Sequence, residues 1–165
     1  MKNPFIELPI TTKDGQFIAH YSGKGLAGLD FPGRHKGRVV SANPKTPVEV
    51  LRWHRTTSDA LKRILAGSKP KDFPPLDLQG TTFQKSVWTI MIKISIGKTK
   101  SYGEVAAAIG KPKAVRAVGG ACGANPIPVL VPCHRVLAAK GKIGGFSSGL
   151  EWKRELLTRE GVQLL

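Results

Sequence analysis

The chain has 165 residues and is 41% hydrophobic, which suits one domain of ordinary size or two small domains packed together. Its 26 lysines and arginines against 11 acidic residues give a formal net charge of +15, which favours a polyanion such as nucleic acid as the partner over a merely lysine-rich surface. Two cysteines exclude a disulfide framework, and the longest uncharged apolar run, residues 127–133, is far too short to span a membrane. Because the N-terminus also lacks a signal-peptide pattern, we expect a cytoplasmic protein, associated with the nucleoid if its source is prokaryotic.

The first half of the chain predicts a small sheet followed by a helix. Residues 10–31 predict two or three short strands, because KDG and SGKG mark turns between the apolar stretches. Prolines and glycines between 32 and 47 predict loops, and a helix is expected over 58–66, capped by its first residue or the one before it. The proline-rich segment 68–80 predicts either an inter-domain linker or an extended stretch.

The second half begins with three predicted helices. An apolar stripe predicts the first over 83–94. Ser101, with Glu104 at the spacing of a capping box, starts a short helix that stops at Gly110, and another helix is expected over 113–124. Two short helices joined by a tight turn form a helix-turn-helix.

The remainder of the chain predicts an extended segment, a loop and a last helix. Residues 125–133 are apolar and bounded by prolines, so we predict an extended, strand-like conformation, and residues 140–149 predict a glycine-rich loop. The helix expected over 150–162 is amphipathic. Its inward-facing residues are predicted to be Leu150, Leu156 and Leu157.

The pair of short helices is weak evidence by itself, since most such pairs are simply packed hairpins. Here, however, the second helix combines one lysine, one isolated arginine and several small residues. These residues are Lys113, Ala114, Arg116, Ala117 and Gly119. Small side chains let a helix backbone approach a groove closely, so the projecting Arg116 suits insertion into DNA better than core packing.

The stretch VPCHRV places Cys133 directly before His134. A lone cysteine is usually a small buried hydrophobe, but here a histidine and an arginine that favour a thiolate follow it, and the glycine-rich loop lies close in sequence. A zinc site is disfavoured, because no second cysteine has metal-ligand spacing and the other histidines are scattered. The residues alone leave a packing cysteine and a reactive thiolate both open. The second thiol, Cys122, is expected to be a packing residue.

Three stretches of the second half together resemble the O6-alkylguanine-DNA alkyltransferases (methylated-DNA–protein-cysteine methyltransferases). They are VPCHRV, the upstream run SYGEVAAAIGKPKAVRAVGGACGANPIPVL and the downstream run GGFSSGLEWKRELLTREG. The similarity is dense from Phe83 to Gly161 and looser in the first half, where YSGKGLAGLDFP carries it. It implies an α/β (α+β) fold of two domains. Residues 1–76 would form a small sheet-and-helix domain of ribonuclease H-like type with its linker, and residues 77–165 a mostly helical DNA-binding domain with the helix-turn-helix.

The resemblance implies DNA repair by direct reversal, in which the alkyl (methyl) group of O6-alkylguanine passes irreversibly to Cys133, once per molecule. O4-alkylthymine stays open as a second substrate. His134 would act as the base through a bridging water, Glu160 would orient that histidine, and Asn125 would brace the turn that presents the thiol. From the residues alone Glu160 could be a surface acid, but the C-terminal end of a helix disfavours an acid, so a specific partner is expected. Arg135 is likewise expected to pair with an acid.

The resemblance also implies how the substrate is held. Tyr102 would donate a hydrogen bond to the base and help rotate the nucleotide, although it could also be a core tyrosine. Backbone groups of Cys133 and Val136 would bind the guanine amine, Ser147 would contact O6, and Phe146 would wall the alkyl group without a hydrogen bond to donate. Contacts to DNA would come from Arg116, filling the gap left by the rotated base, with Lys113, Ala114, Ala117 and Gly119.

No cofactor is implied, and because no cysteine precedes Cys122 we predict no metal, although some relatives carry a structural zinc. The expected partner is double-stranded DNA containing alkylated guanine, bound by a monomer without any membrane, with cooperativity along the DNA left open. Three other functions compete: a lesion sensor that binds damaged DNA and recruits other repair factors without alkyl transfer, a Cys–His hydrolase, and a helix-turn-helix regulator. The basic charge disfavours the hydrolase, and the lack of a dimerisation stripe disfavours the regulator.

Overall fold

The computed structural model describes residues 4–34 and 43–164. Its first element is an antiparallel sheet with the strand order β1-β2-β3, in which short turns join consecutive strands. The strands are β1 (Ile6–Thr12), β2 (Gly15–Tyr21) and β3 (Leu26–Asp30). The prediction of strands over 10–31 is confirmed, although the first strand begins four residues earlier than expected. The loop predicted over 32–47 falls partly outside the described residues, since 35–42 are not among them.

The helix expected over 58–66 is much longer than predicted, because α1 runs over Val48–Leu65 and follows Pro47. Thr57 and Ser58, which resemble an N-terminal cap in the sequence, lie near the middle of this helix. Thr57 is fully buried, and its Oγ1 donates to the Trp53 carbonyl at 2.8 Å, one turn back. A threonine that bonds its own helix in this way does not need to begin one.

Residues 75–77 of the segment 68–80 pair with the edge of the sheet at Leu26. The Leu26 N–H donates to the Pro75 carbonyl and the Asp77 N–H donates to the Leu26 carbonyl, both at 2.8 Å. Gly25 permits this close approach, because a Cβ at that position would lie 2.3 Å from the Pro75 oxygen. The stretch is thus extended where it pairs with the sheet, and its role as an inter-domain linker stays a prediction.

The second half is mainly helical, as predicted. Its helices are α2 (Thr82–Ile92), α3 (Tyr102–Ala108), α4 (Val115–Gly123) and α5 (Leu150–Arg159). Two short parallel strands, β4 (Lys100–Ser101) and β5 (Val136–Leu137), join α3 to the segment that carries the VPCHRV stretch. The Ser101 hydroxyl accepts from the Glu104 N–H at 3.0 Å and caps α3, as the spacing predicted.

Two predictions for this half are wrong. Residues 125–133 are not extended: they form successive bends and turns, and buried Val129 has a φ of +75°. The three prolines of the segment prevent a regular strand ladder, and the Asn125 side chain bonds the backbone of its own turn instead. Leu150 is not inward, since it begins α5 at the surface and is 44% exposed. The buried face of α5 consists of Lys153, Leu156 and Leu157, with Glu160 directly after the helix.

One hydrophobic cluster extends from the sheet through α1 and α2 to the VPCHRV stretch. The two halves of the chain also form polar contacts. The Leu29 N–H donates to the Pro126 carbonyl at 2.9 Å, and Arg159 in α5 holds both carboxylate oxygens of Asp14 at 2.7 and 2.8 Å. The division into domains at 76/77 stays a prediction. Across residues 4–34 and 43–164, no helix combines the length and the apolar character that a membrane span needs.

Candidate active site

Cys133 begins a single 3₁₀ turn, Cys133–Arg135, directly after the buried proline-bounded turns. The turn is held from within by Asn125, whose Nδ2 donates to the Val131 carbonyl at 2.7 Å and whose Oδ1 accepts from the Ile127 N–H at 3.0 Å. Both bonds of Asn125 are to the backbone of the turns that lead to the thiol. The residue Cys133 is only 4% exposed, so bulk water has little access to it.

The other two side chains of this turn, those of His134 and Arg135, meet at one carboxylate. The Nε2 of His134 donates to Glu160 Oε1 at 2.9 Å, and Arg135 donates to both oxygens of Glu160 at 2.8 and 2.9 Å. Arg135 also donates to the Ile94 carbonyl at 2.7 Å. Glu160 is therefore a buried acceptor for two neighbouring residues, and the alternative of a surface acid at the end of a helix is excluded.

The protonation states follow from burial and from these bonds. Burial by itself would raise the pKa of Glu160, but the hydrogen bonds from His134 and Arg135 outweigh burial and lower the pKa from 4.5 to about 2. Burial lowers the pKa of His134, so the imidazole is neutral at pH 7. A carboxylate can only accept, so Nε2 carries the imidazole proton and Nδ1 carries the lone pair.

Nδ1 of His134 is the buried side-chain polar atom left without a hydrogen-bond partner in the described part of the chain. Buried polar groups are almost always paired, and an exception calls for an explanation. An unpaired acceptor on the residue next to a buried thiol is suited to accept a proton, directly or through a water molecule.

The Cys133 thiol is protonated in this environment, because burial raises its pKa. A hydrogen bond with Asn125 and the positive charge of Lys153 act in the opposite direction and favour the thiolate. A thiol of this kind is a poor nucleophile until a base removes its proton. His134 is a base of the right type in the adjacent position.

Lys153 is a functional residue that the sequence reasoning missed. It is fully buried in α5, and its Nζ donates to the carbonyls of Val136 at 2.7 Å and Gly145 at 3.0 Å. Burial lowers its pKa from 10.5 to about 8. The sequence does contain a signal for this residue. Lys153 lies three residues before Leu156, on the apolar stripe of the amphipathic helix, and burying a charge there costs free energy unless the charge is paired or functional.

Tyr102 lies at the start of α3, under the glycine-rich loop. Its hydroxyl accepts from the Gly145 N–H at 3.3 Å, and the Nζ of Lys153 lies 6.0 Å from its ring centre. Burial raises the pKa of Tyr102, which keeps its hydroxyl protonated. Gly144 has a φ of +71°, and a Cβ there would lie 2.8 Å from the Tyr102 hydroxyl oxygen, so the loop reaches this tyrosine only with glycine.

The other predicted substrate residues lie around this centre. Val136 is buried, and its carbonyl is one of the Lys153 acceptors. Phe146 is half-buried and packs edge-on against Phe31 of the first half, with ring centres 6.0 Å apart. Ser147 is exposed, and its carbonyl accepts a hydrogen bond from Arg34.

The predicted DNA-contacting residues lie on α4 and the turn before it, apart from the buried centre. Lys113, Arg116 and Ala117 are exposed, and Ala114 and Gly119 are half-exposed. Within the described ranges neither Lys113 nor Arg116 forms an ion pair, which leaves both charges available to an anionic partner.

Cys122 lies on the buried face of α4, and its thiol donates to the Met91 sulfur at 3.5 Å. Burial raises its pKa to about 12, so it is inert, as expected for a packing cysteine. Among residues 4–34 and 43–164 no cluster of three or more histidine, cysteine or acidic side chains could hold a metal ion.

A buried thiol, an adjacent histidine and a carboxylate that orients the histidine define a cysteine-nucleophile site. Comparison with known proteins specifies the class further. Residues 82–162 match the family model described as 6-O-methylguanine DNA methyltransferase, DNA binding domain. The methylated-DNA–protein-cysteine methyltransferase of Methanosarcina acetivorans is 44% identical over 134 residues, which cover 81% of this chain and 86% of that protein. Its counterpart from Methanosarcina barkeri is 39% identical over 94% of each chain.

A solved structure extends this similarity to the fold. The crystal structure of Mycobacterium tuberculosis OGT in complex with DNA is 35% identical to this chain, covers 93% of it and 91% of its own length, and superposes with a TM-score of 0.72. The mixed fold of a small antiparallel sheet and helices is therefore that of these proteins. The chain belongs to the family of methylated-DNA–protein-cysteine methyltransferases.

Proposed function

We propose that this protein repairs alkylated DNA by moving the alkyl group from O6 of guanine to the sulfur of Cys133. The observation that carries the proposal is a buried thiol next in the chain to a buried histidine whose Nε2 is bonded to Glu160 and whose Nδ1 is unpaired. Membership of the family supports the reaction type. The presence of a cysteine at position 133 supports transfer over mere lesion binding.

In the reaction, Nδ1 of His134 takes the proton of the Cys133 thiol, through one water molecule if the two groups do not touch. The thiolate then attacks the alkyl carbon, the S–C bond forms, and the C–O6 bond breaks. The purine leaves with that electron pair and takes up one proton, so the products are guanine and S-alkylcysteine. A thioether is not reversed by ordinary thiol chemistry, so each molecule reacts once, without any cofactor.

Three groups stabilise the charges that develop. The positive charge on His134 after proton transfer forms opposite Glu160, which is already ionised. The negative charge on sulfur forms near Lys153, whose ammonium favours the thiolate. Tyr102, kept protonated by burial, donates a hydrogen bond to the departing purine. Catalysis then rests on fixed charges and donors in a site from which water is largely excluded.

The DNA is held by the exposed face of α4, with α3 and α4 acting as a helix-turn-helix. The lesion lies inside a duplex, so the base must leave the stack at a cost of roughly a few kcal/mol. Arg116 projects from a helix wall of small residues and fills the gap, while Lys113 and the excess positive charge bind phosphates without sequence preference. We further propose that the chain acts as a monomer on double-stranded DNA, that residues 1–76 form a ribonuclease H-like domain, and that residues 77–165 form the transferase domain.

Mass spectrometry of the intact protein tests the proposal directly. The protein is incubated with a duplex that contains one O6-methylguanine, and the expected result is a gain of one methyl group, once per molecule, on the Cys133 peptide. Cys133→Ala should gain nothing, whereas the matched variant Cys122→Ala should react like the wild type, because Cys122 is only a packing thiol. Binding of the duplex without any mass gain would refute the transferase and favour the lesion sensor.

A further inference from the structure

The end of β3 and the residues directly after it contact both sides of the candidate site. The Leu29 N–H donates to the Pro126 carbonyl at 2.9 Å, next to Asn125, which braces the thiol turn. Two residues on, Phe31 packs against Phe146 in the glycine-rich loop. Arg34 then donates to the carbonyl of Ser147 in the same loop. One segment of the first half therefore supports both the thiol turn and the loop opposite it.

Phe31 is the centre of this support. It is only 2% exposed and lies in an aromatic cluster with Phe17 at 5.2 Å and Trp152 at 4.8 Å between ring centres. Its ring stands at 90° to that of Phe146, with the centres 6.0 Å apart. Among the described aromatic rings, Phe31 is the one in contact with Phe146. Edge-to-face ring pairs are stabilised by a preferred relative orientation in addition to the area they bury, so a ring that is held in place orients its neighbour.

The loop that carries Phe146 cannot fix this ring by itself. Gly144, Gly145 and Gly149 surround it, and two of them have φ values of +71° and +105°, in the region that glycine adopts freely. The loop is instead held by contacts from outside, through the Lys153 bond to Gly145 and the ring of Phe31. Of these contacts, the one made to the Phe146 ring itself comes from the first half of the chain.

We propose that Phe31 is a positioning residue that sets, through Phe146, the size of the alkyl group that the site accepts. This inference rests on the proposed function and on the role that the resemblance implies for Phe146, a wall beside the alkyl group that Cys133 receives. A rigid ring behind Phe146 keeps the wall close and favours a methyl group over larger groups. Replacing that ring by a smaller side chain leaves space into which Phe146 can withdraw, which enlarges the site for bulky groups.

The test is the ratio of two rate constants, measured for each variant under single-turnover conditions by mass spectrometry of the intact protein. The substrates are one duplex sequence carrying either O6-methylguanine or O6-benzylguanine, so differences in DNA affinity and in active fraction cancel in the ratio. For Phe31→Leu the benzyl-to-methyl ratio should rise about 10-fold, the scale on which a change of a few carbon atoms in an apolar pocket alters specificity.

Phe17→Leu provides the matched control. Phe17 is as buried as Phe31 and shares its contacts with the cluster, since it packs on Phe31 and on Trp152 at 6.0 Å, but it does not contact Phe146. Its substitution removes the same number of carbon atoms from the same cluster, so a loss of stability alone would appear in both variants. The ratio for Phe17→Leu should stay within about twofold of the wild type.

An unchanged ratio in Phe31→Leu, or an equal rise in Phe17→Leu, would overturn the inference. If Phe31→Leu melts below the assay temperature, Phe31→Met is used instead, because methionine keeps most of the volume but has no flat ring edge. The benzyl-to-methyl ratio of that variant then tests the inference by the same criterion. Alkylation of the wild type together with an unchanged ratio refutes the role of Phe31 and leaves the proposed function standing. Failure of the wild type to accept any alkyl group refutes both.

Discussion

Replacing Glu160 by glutamine separates the structural role of this carboxylate from its part in the reaction. Glutamine has nearly the same shape but removes the charge that accepts three hydrogen bonds, one from His134 and two from Arg135. Arg135 would then stay buried without a counter-charge, with the Ile94 carbonyl and one neutral amide oxygen as acceptors. Leaving one partner of a buried ion pair uncompensated costs about 3–5 kcal/mol of unfolding free energy.

The same change should slow alkyl transfer for a different reason. Without the carboxylate, Nε2 of His134 loses the acceptor-only partner that fixes its proton there, because a glutamine amide can donate as well as accept. The imidazolium formed during transfer also loses its counter-charge. The rate constant for transfer should fall about 10²–10⁴-fold, the range that a positioned general base contributes. The assay is single-turnover methyl transfer, with urea unfolding of the same samples to give stability.

A double variant distinguishes the two effects. Glu160→Gln combined with Arg135→Met removes the orphaned charge, so much of the lost stability should return, whereas transfer should stay slow because His134 still lacks its partner. The coupling between the two sites is read from the double-mutant cycle. Full recovery of transfer in the double variant would show that Glu160 acts only by stabilising the fold, and the orienting role would be refuted.

The pH dependence of stability checks the same carboxylate independently. Its pKa is about 2 in the folded protein against an ordinary value of 4.5, so its contribution of about 3 kcal/mol is complete above pH 4.5 and is lost as the pH falls through 2. The stability difference between wild type and Glu160→Gln should therefore shrink over this interval. A difference that stayed constant down to pH 2 would contradict the depressed pKa.

Two further predictions concern Lys153, which is buried beside the thiol turn, and Arg116, which is exposed on α4. Lys153→Met should slow transfer at pH 7 by about 10-fold or more, because the thiolate of Cys133 loses its nearby positive charge. The folded-state pKa of Lys153 is lowered to about 8, so wild-type stability should rise from pH 8 towards 10.5, and urea unfolding of the variant should lack this rise. Arg116→Ala should slow transfer from duplex DNA by about 10–100-fold, because nothing then fills the gap that the rotated base leaves in the stack. Transfer from free O6-benzylguanine, which needs no base rotation, should be unchanged. An equal loss with the free base would show that Arg116 acts on the thiol site and not on the DNA.

The sequence predicted the reactive centre better than its surroundings, for physical reasons. Cys133 and His134 are neighbours in the chain, so their proximity needs no fold. Glu160 lies 26 residues away from His134, and it was found only through a resemblance, because no local pattern connects a helix end to a distant turn. Lys153 was missed because the helix was judged by its leucines, although a lysine on their face was the anomaly.

The errors in the fold have similar local causes. Three consecutive hydroxyl residues, Thr56 to Ser58, resembled a helix start, but within α1 the threonine hydroxyls bond carbonyls one turn earlier. Apolar residues between prolines resembled a strand over 125–133, but a strand needs a partner for its ladder, and Asn125 supplies bonds that close a turn instead. In both places side-chain hydrogen bonds to the backbone decided the structure, and these are not visible in hydrophobic patterns.

The resting charges of the site explain how a protein that reacts once can remain intact until it meets its substrate. Burial raises the pKa of Cys133 and lowers that of His134, so both are neutral at rest and the thiol is protected from oxidants that attack thiolates. Moving one proton between them converts a neutral pair into a thiolate and an imidazolium. Glu160 and Lys153, charged and oriented beforehand, stabilise the second state far more than the first. Burial therefore has two effects: it keeps the free thiol unreactive, and it strengthens the interaction of these fixed charges with the thiolate and the imidazolium. Once an alkyl group is bound, the thiolate reacts with it as soon as it forms.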